Sequence, residues 1–114
     1  MGRLTTHVLD TARGCPAAGL ALRLLRGGEA EPLVETRTNR DGRCDAPLLQ
    51  GDAFAAGRYR LQFLCGPYFD GLGLDLPEPK FLDTVTIDFA IAEDAHYHVP
   101  LLLSPFGYST YRGS

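Results

Sequence analysis

Apolar and polar positions alternate in several stretches of this chain, and a period of two is the mark of a strand with one buried face. From Arg3 to Asp10, Leu4, Thr6 and Val8 share one face while Thr5, His7 and Leu9 share the other. Leu20 to Arg26 puts Leu20, Leu22 and Leu24 inward and Arg23 outward. Leucine is a mediocre strand former, so a short helix competes there. Leu33 to Asn39 carries Val34, Thr36 and Thr38 on one side and closes on Asp41-Gly42, a strong turn signal. Arg58 to Cys65 alternates strictly, with Tyr59, Leu61, Phe63 and Cys65 inward, and Thr84 to Ala92 does the same with Val85, Ile87, Phe89 and Ile91. In the last strand, His96 to Ser104, Tyr97, Val99, Leu101 and Leu103 form a core stripe. Its other face holds His96, His98, Pro100 and Leu102, two imidazoles among apolar groups with no formal charge. Such a face calls for a cover, whether a ligand, another chain or both.

Between these runs lie loops rich in Gly and Pro: Thr11 to Gly19, Ala46 to Gly57, and the long connection Gly66 to Leu82, where one helical turn is expected near Tyr68 to Leu72. Six to eight short strands without an amphipathic helix predict an all-β antiparallel sandwich, with a small closed barrel as the alternative. At 114 residues the expectation is a single domain, 1–114, with one modest core.

Composition narrows the function classes. A formal net charge of -3 and the lack of a basic stripe disfavour nucleic acid, and no apolar run reaches the length of a membrane span. The start shows no basic leader followed by an apolar segment, so a cytoplasmic location is expected. Cys15, Cys44 and Cys65 are odd in number and widely spaced; they predict reduced thiols rather than a disulfide framework or a thiolate zinc site.

The chemistry-bearing positions are few. His7 and His98 lie on the non-core faces of their strands, Arg43 follows a rigid turn, and Tyr111-Arg112-Gly113-Ser114 brings a phenol, a guanidinium and a carboxylate to the end of the chain. Imidazole titrates near neutrality and suits proton transfer. A lone strand histidine is more often packed or surface-lying than catalytic, and a lone Arg beside a turn is usually solvated, so each signal acquires weight only from its partners. His96 and His98 also have the spacing of metal ligands, with His7 as a third; no Cys, Asp or Glu at an obvious strand position closes the set, and neither a resident metal nor a cofactor is expected.

Five segments carry a family likeness: Leu4 to Asp10; Thr38-Asn39-Arg40-Asp41-Gly42-Arg43-Cys44; Phe81-Leu82-Asp83; His96-Tyr97-His98-Val99-Pro100-Leu101-Leu102-Leu103-Ser104-Pro105; and the closing Tyr111-Arg112-Gly113-Ser114. Together they resemble the 5-hydroxyisourate hydrolases, the enzymatic branch of the transthyretin-like family, over nearly the whole chain. The terminal tetrapeptide is the most specific of them, since hormone-carrying transthyretins lack it. The resemblance implies an eight-stranded sandwich assembled as a homotetramer with active sites where two dimers meet. It further implies that His7, Arg43, His98 and the Tyr111 to Ser114 tail bind and convert the small-molecule substrate.

The implied reaction opens the ring of 5-hydroxyisourate by attack of water on a ring carbonyl. In that chemistry His98 with His7 serves as acid-base pair, Arg43 as an electrostatic clamp, Tyr111 as a hydrogen-bonding group and Ser114 as an orienting group rather than a nucleophile. Two other functions compete. A small-ligand carrier using the same channel has no need of paired imidazoles and a guanidinium, and an adhesion or sugar-binding sandwich ordinarily comes with a secretion signal or neighbouring domains.

Overall fold

The computed structural model describes residues 2–113. Its strands are β1 (Arg3–Asp10), β2 (Cys15–Pro16), β3 (Ala21–Arg26), β4 (Pro32–Arg37), β5 (Leu49–Gln50), β6 (Gly57–Leu64), β7 (Thr84–Ile91), β8 (His96–Ser104) and β9 (Gly107–Thr110), with a 3₁₀ turn (Gly51–Ala53) after β5 and one α-helix, α1 (Cys65–Gly71), after β6. They form two sheets. One runs β4-β3-β6-β7 and is antiparallel throughout; the other runs β2-β1-β8-β9, with β5 also pairing β1. The alternating residues of both sheets meet in one core, with Leu4, Val8, Leu101 and Leu103 from one and Leu24, Leu61 and Phe63 from the other. This is the expected β-sandwich.

One pairing inside it is not antiparallel. β1 and β8 run parallel, Leu4 opposite Tyr97 and Thr5 opposite His98, through to Asp10 opposite Leu103. Period-two patterning tells which face of a strand is buried, not which strand lies beside it or in which direction, so the expectation of a wholly antiparallel sandwich missed this. The pairing puts the non-core faces of β1 and β8 side by side, which brings His7 toward His98.

The competing helix at Leu20 to Arg26 does not form. β3 pairs with both β4 and β6, and its leucines are buried between the sheets, so packing overrides leucine's weak strand propensity. The strand expected to run to Asn39 ends at Arg37. Thr38 instead turns its hydroxyl into the interior, donating to the Ala17 carbonyl at 2.7 Å and accepting the Leu20 N–H at 2.9 Å.

The helix also differs from the expected single turn at Tyr68 to Leu72: it begins earlier, at Cys65, and stops at Gly71. Gly66 and Pro67 look like breakers in the sequence but occupy its first turn, where backbone N–H groups have no partner within the helix and proline is tolerated. The Cys65 and Gly66 N–H groups both donate to the Asp83 carbonyl, at 2.8 and 3.0 Å, which ties the helix start to the chain entering β7. The Cys65 thiol is buried and pushed up to about 12 by that burial, and all three cysteines are free. No helix among the described residues is long and apolar enough to cross a membrane.

Candidate active site

The outer edge of β1 is completed piecemeal. β5 pairs at Arg3 and Leu4, β2 pairs at Leu9 and Asp10, and between them the turn before the Ala46 loop touches β1 through a single bridge, His7 with Arg43. The turn is rigid for readable reasons. Asn39 accepts the Asp41 and Arg43 N–H groups on its side-chain oxygen at 2.9 and 3.2 Å, and its own N–H donates to the Arg43 carbonyl at 2.7 Å. Gly42 has φ +75°, and a Cβ there would lie 2.4 Å from the Val8 carbonyl oxygen, so no other residue fits against β1. Its own carbonyl accepts the Val8 N–H at 2.8 Å. The Asp-Gly corner thereby lodges Arg43 against the strand that carries Thr5 and His7.

On the outer face of this sheet lies a cleft of about 370 Å³ lined by Arg3, Thr5, Arg43, Asp45, His96 and His98. A shallower depression of about 640 Å³ on the other sheet, beside Arg23, Glu35 and Arg37, holds no imidazole. The cleft brings together Arg43 and His98 of the expected set. His7 does not line it, although it lies on the same face, in register with Pro100, near enough for its charge to act on His98. Its Nε2 lies 2.8 Å from the Asp41 carbonyl. Because a carbonyl only accepts, that nitrogen carries the hydrogen, and Nδ1 is the one free to take a proton.

Two groups absent from the expected site set belong to it. Thr5 Oγ1 sits 2.8 Å from His98 Nδ1 and 2.9 Å from His96 Nε2, joining rings whose centroids are 6.3 Å apart. In the sequence His96 stands out by its metal-ligand spacing and by sharing the imidazole face with His98, and Thr5 only by sharing a strand face with His7. Among the described residues no three His, Cys, Asp or Glu side chains converge as a metal-ligand set.

Burial holds the pKa of His98 below the ordinary imidazole value, and the nearby charges of Arg43, His96 and His7 push the same way. His98 is therefore neutral at neutral pH. With Nδ1 engaged by Thr5, its Nε2 is the nitrogen left to act on a water or a ligand. A neutral imidazole beside an exposed guanidinium in one cleft is equipped to deprotonate water while a neighbouring cation offsets negative charge growing on an oxygen.

The tail enters this site through its backbone. β9 folds back antiparallel on β8, Leu101 opposite Thr110, and beyond it the Gly113 N–H donates to the His98 carbonyl at 2.7 Å. The Arg112 guanidinium lies 3.9 Å over the Tyr97 ring, holding the chain down by a cation–π contact. Tyr111 is 60% exposed and is not among the residues that line the cleft. Ser114 lies outside the described residues.

Comparison with known proteins adds to this geometry. Residues 4–113 match the model of the HIUase/Transthyretin family. A protein of Mesorhizobium japonicum named 5-hydroxyisourate hydrolase is 62% identical over 115 aligned positions, covering 99% of this chain and 93% of that protein. The structure of Klebsiella pneumoniae 5-hydroxyisourate hydrolase superposes with a TM-score of 0.84 at 40% identity, covering all of both chains. The crystal structure of an (S)-allantoin synthase superposes at 0.93 with 46% identity over 99% of this chain, which spans only 44% of that longer protein.

Proposed function

The chain belongs to the HIUase/Transthyretin family, and from that footing we propose that it is a 5-hydroxyisourate hydrolase of purine breakdown. Relatives at 50% identity or more over nearly the whole chain bear that activity in their names. The observation that carries the mechanism is the meeting of a neutral, half-buried His98 with Arg43 in one cleft, since hydrolysis needs a base and an oxyanion partner within reach of one carbonyl.

The substrate is a compact, purine-like bicycle with carbonyl oxygens and ring N–H groups. Arg43 offers a fork of donors to such edges. His98 Nε2 removes a proton from water as its oxygen bonds to the ring carbonyl carbon. Arg43 offsets the charge that builds on the carbonyl oxygen. The ring C–N bond then breaks, and the departing nitrogen takes the proton back from His98 Nε2. The product is 2-oxo-4-hydroxy-4-carboxy-5-ureidoimidazoline. His7, whose Nδ1 is free, shares the acid-base work, Tyr111 hydrogen-bonds the substrate, and Ser114 serves as an orienting group rather than a nucleophile. No metal or cofactor is part of this scheme.

Chain 1–114 acts as one domain in a homotetramer. β9 ends its sheet with an outer edge that pairs with no strand among the described residues, a surface open to pairing with a second copy. Another copy would also cover the imidazole face. Three free thiols suit a reducing cytoplasm.

A carrier in the same channel would want an apolar cavity. This cleft is instead lined by two arginines, two imidazoles and an aspartate, which supports turnover over storage. The deciding experiment generates 5-hydroxyisourate in place by oxidising urate and follows the decay of its ultraviolet absorbance. Decay that quickens in proportion to added protein supports the hydrolase. Saturable binding of the compound with no change in its decay would overturn it in favour of the carrier.

A further inference from the structure

We propose that Thr5 is a positioning residue that locks the tautomers of His98 and His96 together, so that a proton taken by His98 is relayed through the Thr5 hydroxyl to His96. The inference deepens the hydrolase reading above and rests on it for its kinetic consequences, though its structural core does not need turnover.

Thr5 Oγ1 touches one nitrogen of each ring, His98 Nδ1 at 2.8 Å and His96 Nε2 at 2.9 Å, and has no other hydrogen-bond partner among the described residues. A hydroxyl has one hydrogen to give. If that hydrogen is used within this trio, one imidazole donates to the oxygen and the other accepts from it. Two arrangements do so. In the first, His98 donates through Nδ1–H and Thr5 donates to His96 Nε2, which leaves His98 Nε2 bare and basic. In the second, Thr5 donates to His98 Nδ1, His98 carries its hydrogen on Nε2, and no lone pair faces the cleft. Only the first is competent to take a proton from water, and it requires His96 to be neutral with its hydrogen on Nδ1.

The same geometry gives the proton somewhere to go. When the water O–H bond breaks, its proton binds His98 Nε2, the Nδ1 hydrogen moves to Thr5 Oγ1, and the hydroxyl hydrogen moves to His96 Nε2. His98 is left neutral but now carries Nε2–H, the form needed to protonate the departing ring nitrogen, and the positive charge rests on His96. Donation from His98 reverses each transfer, so the net change is addition of water across one C–N bond.

The surroundings favour this displacement of charge. Facing His98 are Arg43 from the turn, His7 from β1 and His96 from its own strand, while Arg3 of β1 and Asp45 complete the charged lining of the cleft. Three of these oppose a lasting imidazolium at His98, as does burial. Thr5 is held opposite His98 by the parallel β1–β8 register, and its branched Cβ restricts the rotamers through which the hydroxyl could swing away.

The test compares Thr5→Val, which keeps the shape and removes the hydroxyl, with Thr5→Ser, which keeps the hydroxyl. Valine suits a strand, and a thermal melt checks that the fold stands. Loss of the relay lowers kcat by roughly 10²-fold with KM within about threefold, and moves the acid limb of the pH profile of kcat, while Thr5→Ser stays within about fivefold of the native kcat. A Thr5→Val enzyme with native kcat and pH profile, or a Thr5→Ser enzyme as slow as Thr5→Val, overturns the proposal. Nitrogen-15 NMR of the imidazoles without substrate gives a readout independent of activity. The native rings change tautomer together as pH is varied, and in Thr5→Val they titrate separately; identical tautomer populations in the two proteins also overturn it. If the native protein showed this linkage yet left 5-hydroxyisourate untouched, the hydrolase reading would fail and the coupling would stand.

Discussion

Gly113 is the point at which the tail meets the His98 ring, and Gly113→Ala measures how finely that ring is placed. Its backbone lies outside the left-handed region, so alanine is conformationally allowed, and the N–H that bonds to the His98 carbonyl at 2.7 Å is kept. The only change is a methyl group. Its carbon would lie 2.7 Å from His98 Cδ2 and 3.3 Å from both Cβ and Cγ. To regain an ordinary carbon contact of 3.4 Å, the ring edge must retreat by about 0.7 Å, or the tail must lift away. A displacement of about 1 Å in a reacting group costs on the order of 10²-fold in rate, so kcat should fall roughly 10- to 100-fold. The fold should survive, since Gly113 is half-buried at the chain end and the core cluster is untouched. The assay is decay of 5-hydroxyisourate absorbance at saturating substrate, paired with a thermal melt. Turnover within about twofold of native, in a protein melting as the native one does, would refute the claim that the tail sets the His98 ring.

Three further outcomes follow from the same geometry. His98→Asn removes the proposed base and should lower kcat by about 10²- to 10⁴-fold with the melting temperature little changed; near-native turnover in the folded protein would rule out the assignment. Arg43→Met removes a positive charge that disfavours the His98 imidazolium, so the protonated form is penalised less and the His98 pKa should move up toward the ordinary value, which an NMR titration of the ring reads without need of activity. Tyr68→Phe deletes the phenol that donates to the buried Asp10 carboxylate at 2.7 Å, and urea unfolding should show a loss of about 1–3 kcal/mol with the catalytic constants unaltered.

Much of this molecule is legible along the chain. The alternation of Leu4, Thr6 and Val8, of Tyr59, Leu61 and Phe63, and of Tyr97, Val99, Leu101 and Leu103 fixes which side of each strand is core, and every one of these residues is buried. The same count places His7, His96 and His98 on the outer faces, and the Asp41-Gly42 corner announces a rigid turn ahead of Arg43. These features are local, set by the pleat of a strand and by the one residue type that tolerates φ +75° against the Val8 carbonyl. Tertiary structure alone decided the neighbours. The parallel pairing of β1 with β8 joins residues at opposite ends of the chain, and from it come the contact of Thr5 with both imidazoles and the inclusion of His96 in the site. Alternation repeats every two residues whatever strand lies alongside, so it carries no information on partner or direction. Those are settled by how two apolar faces fill one core together, and only then does a threonine hydroxyl find itself between two histidines.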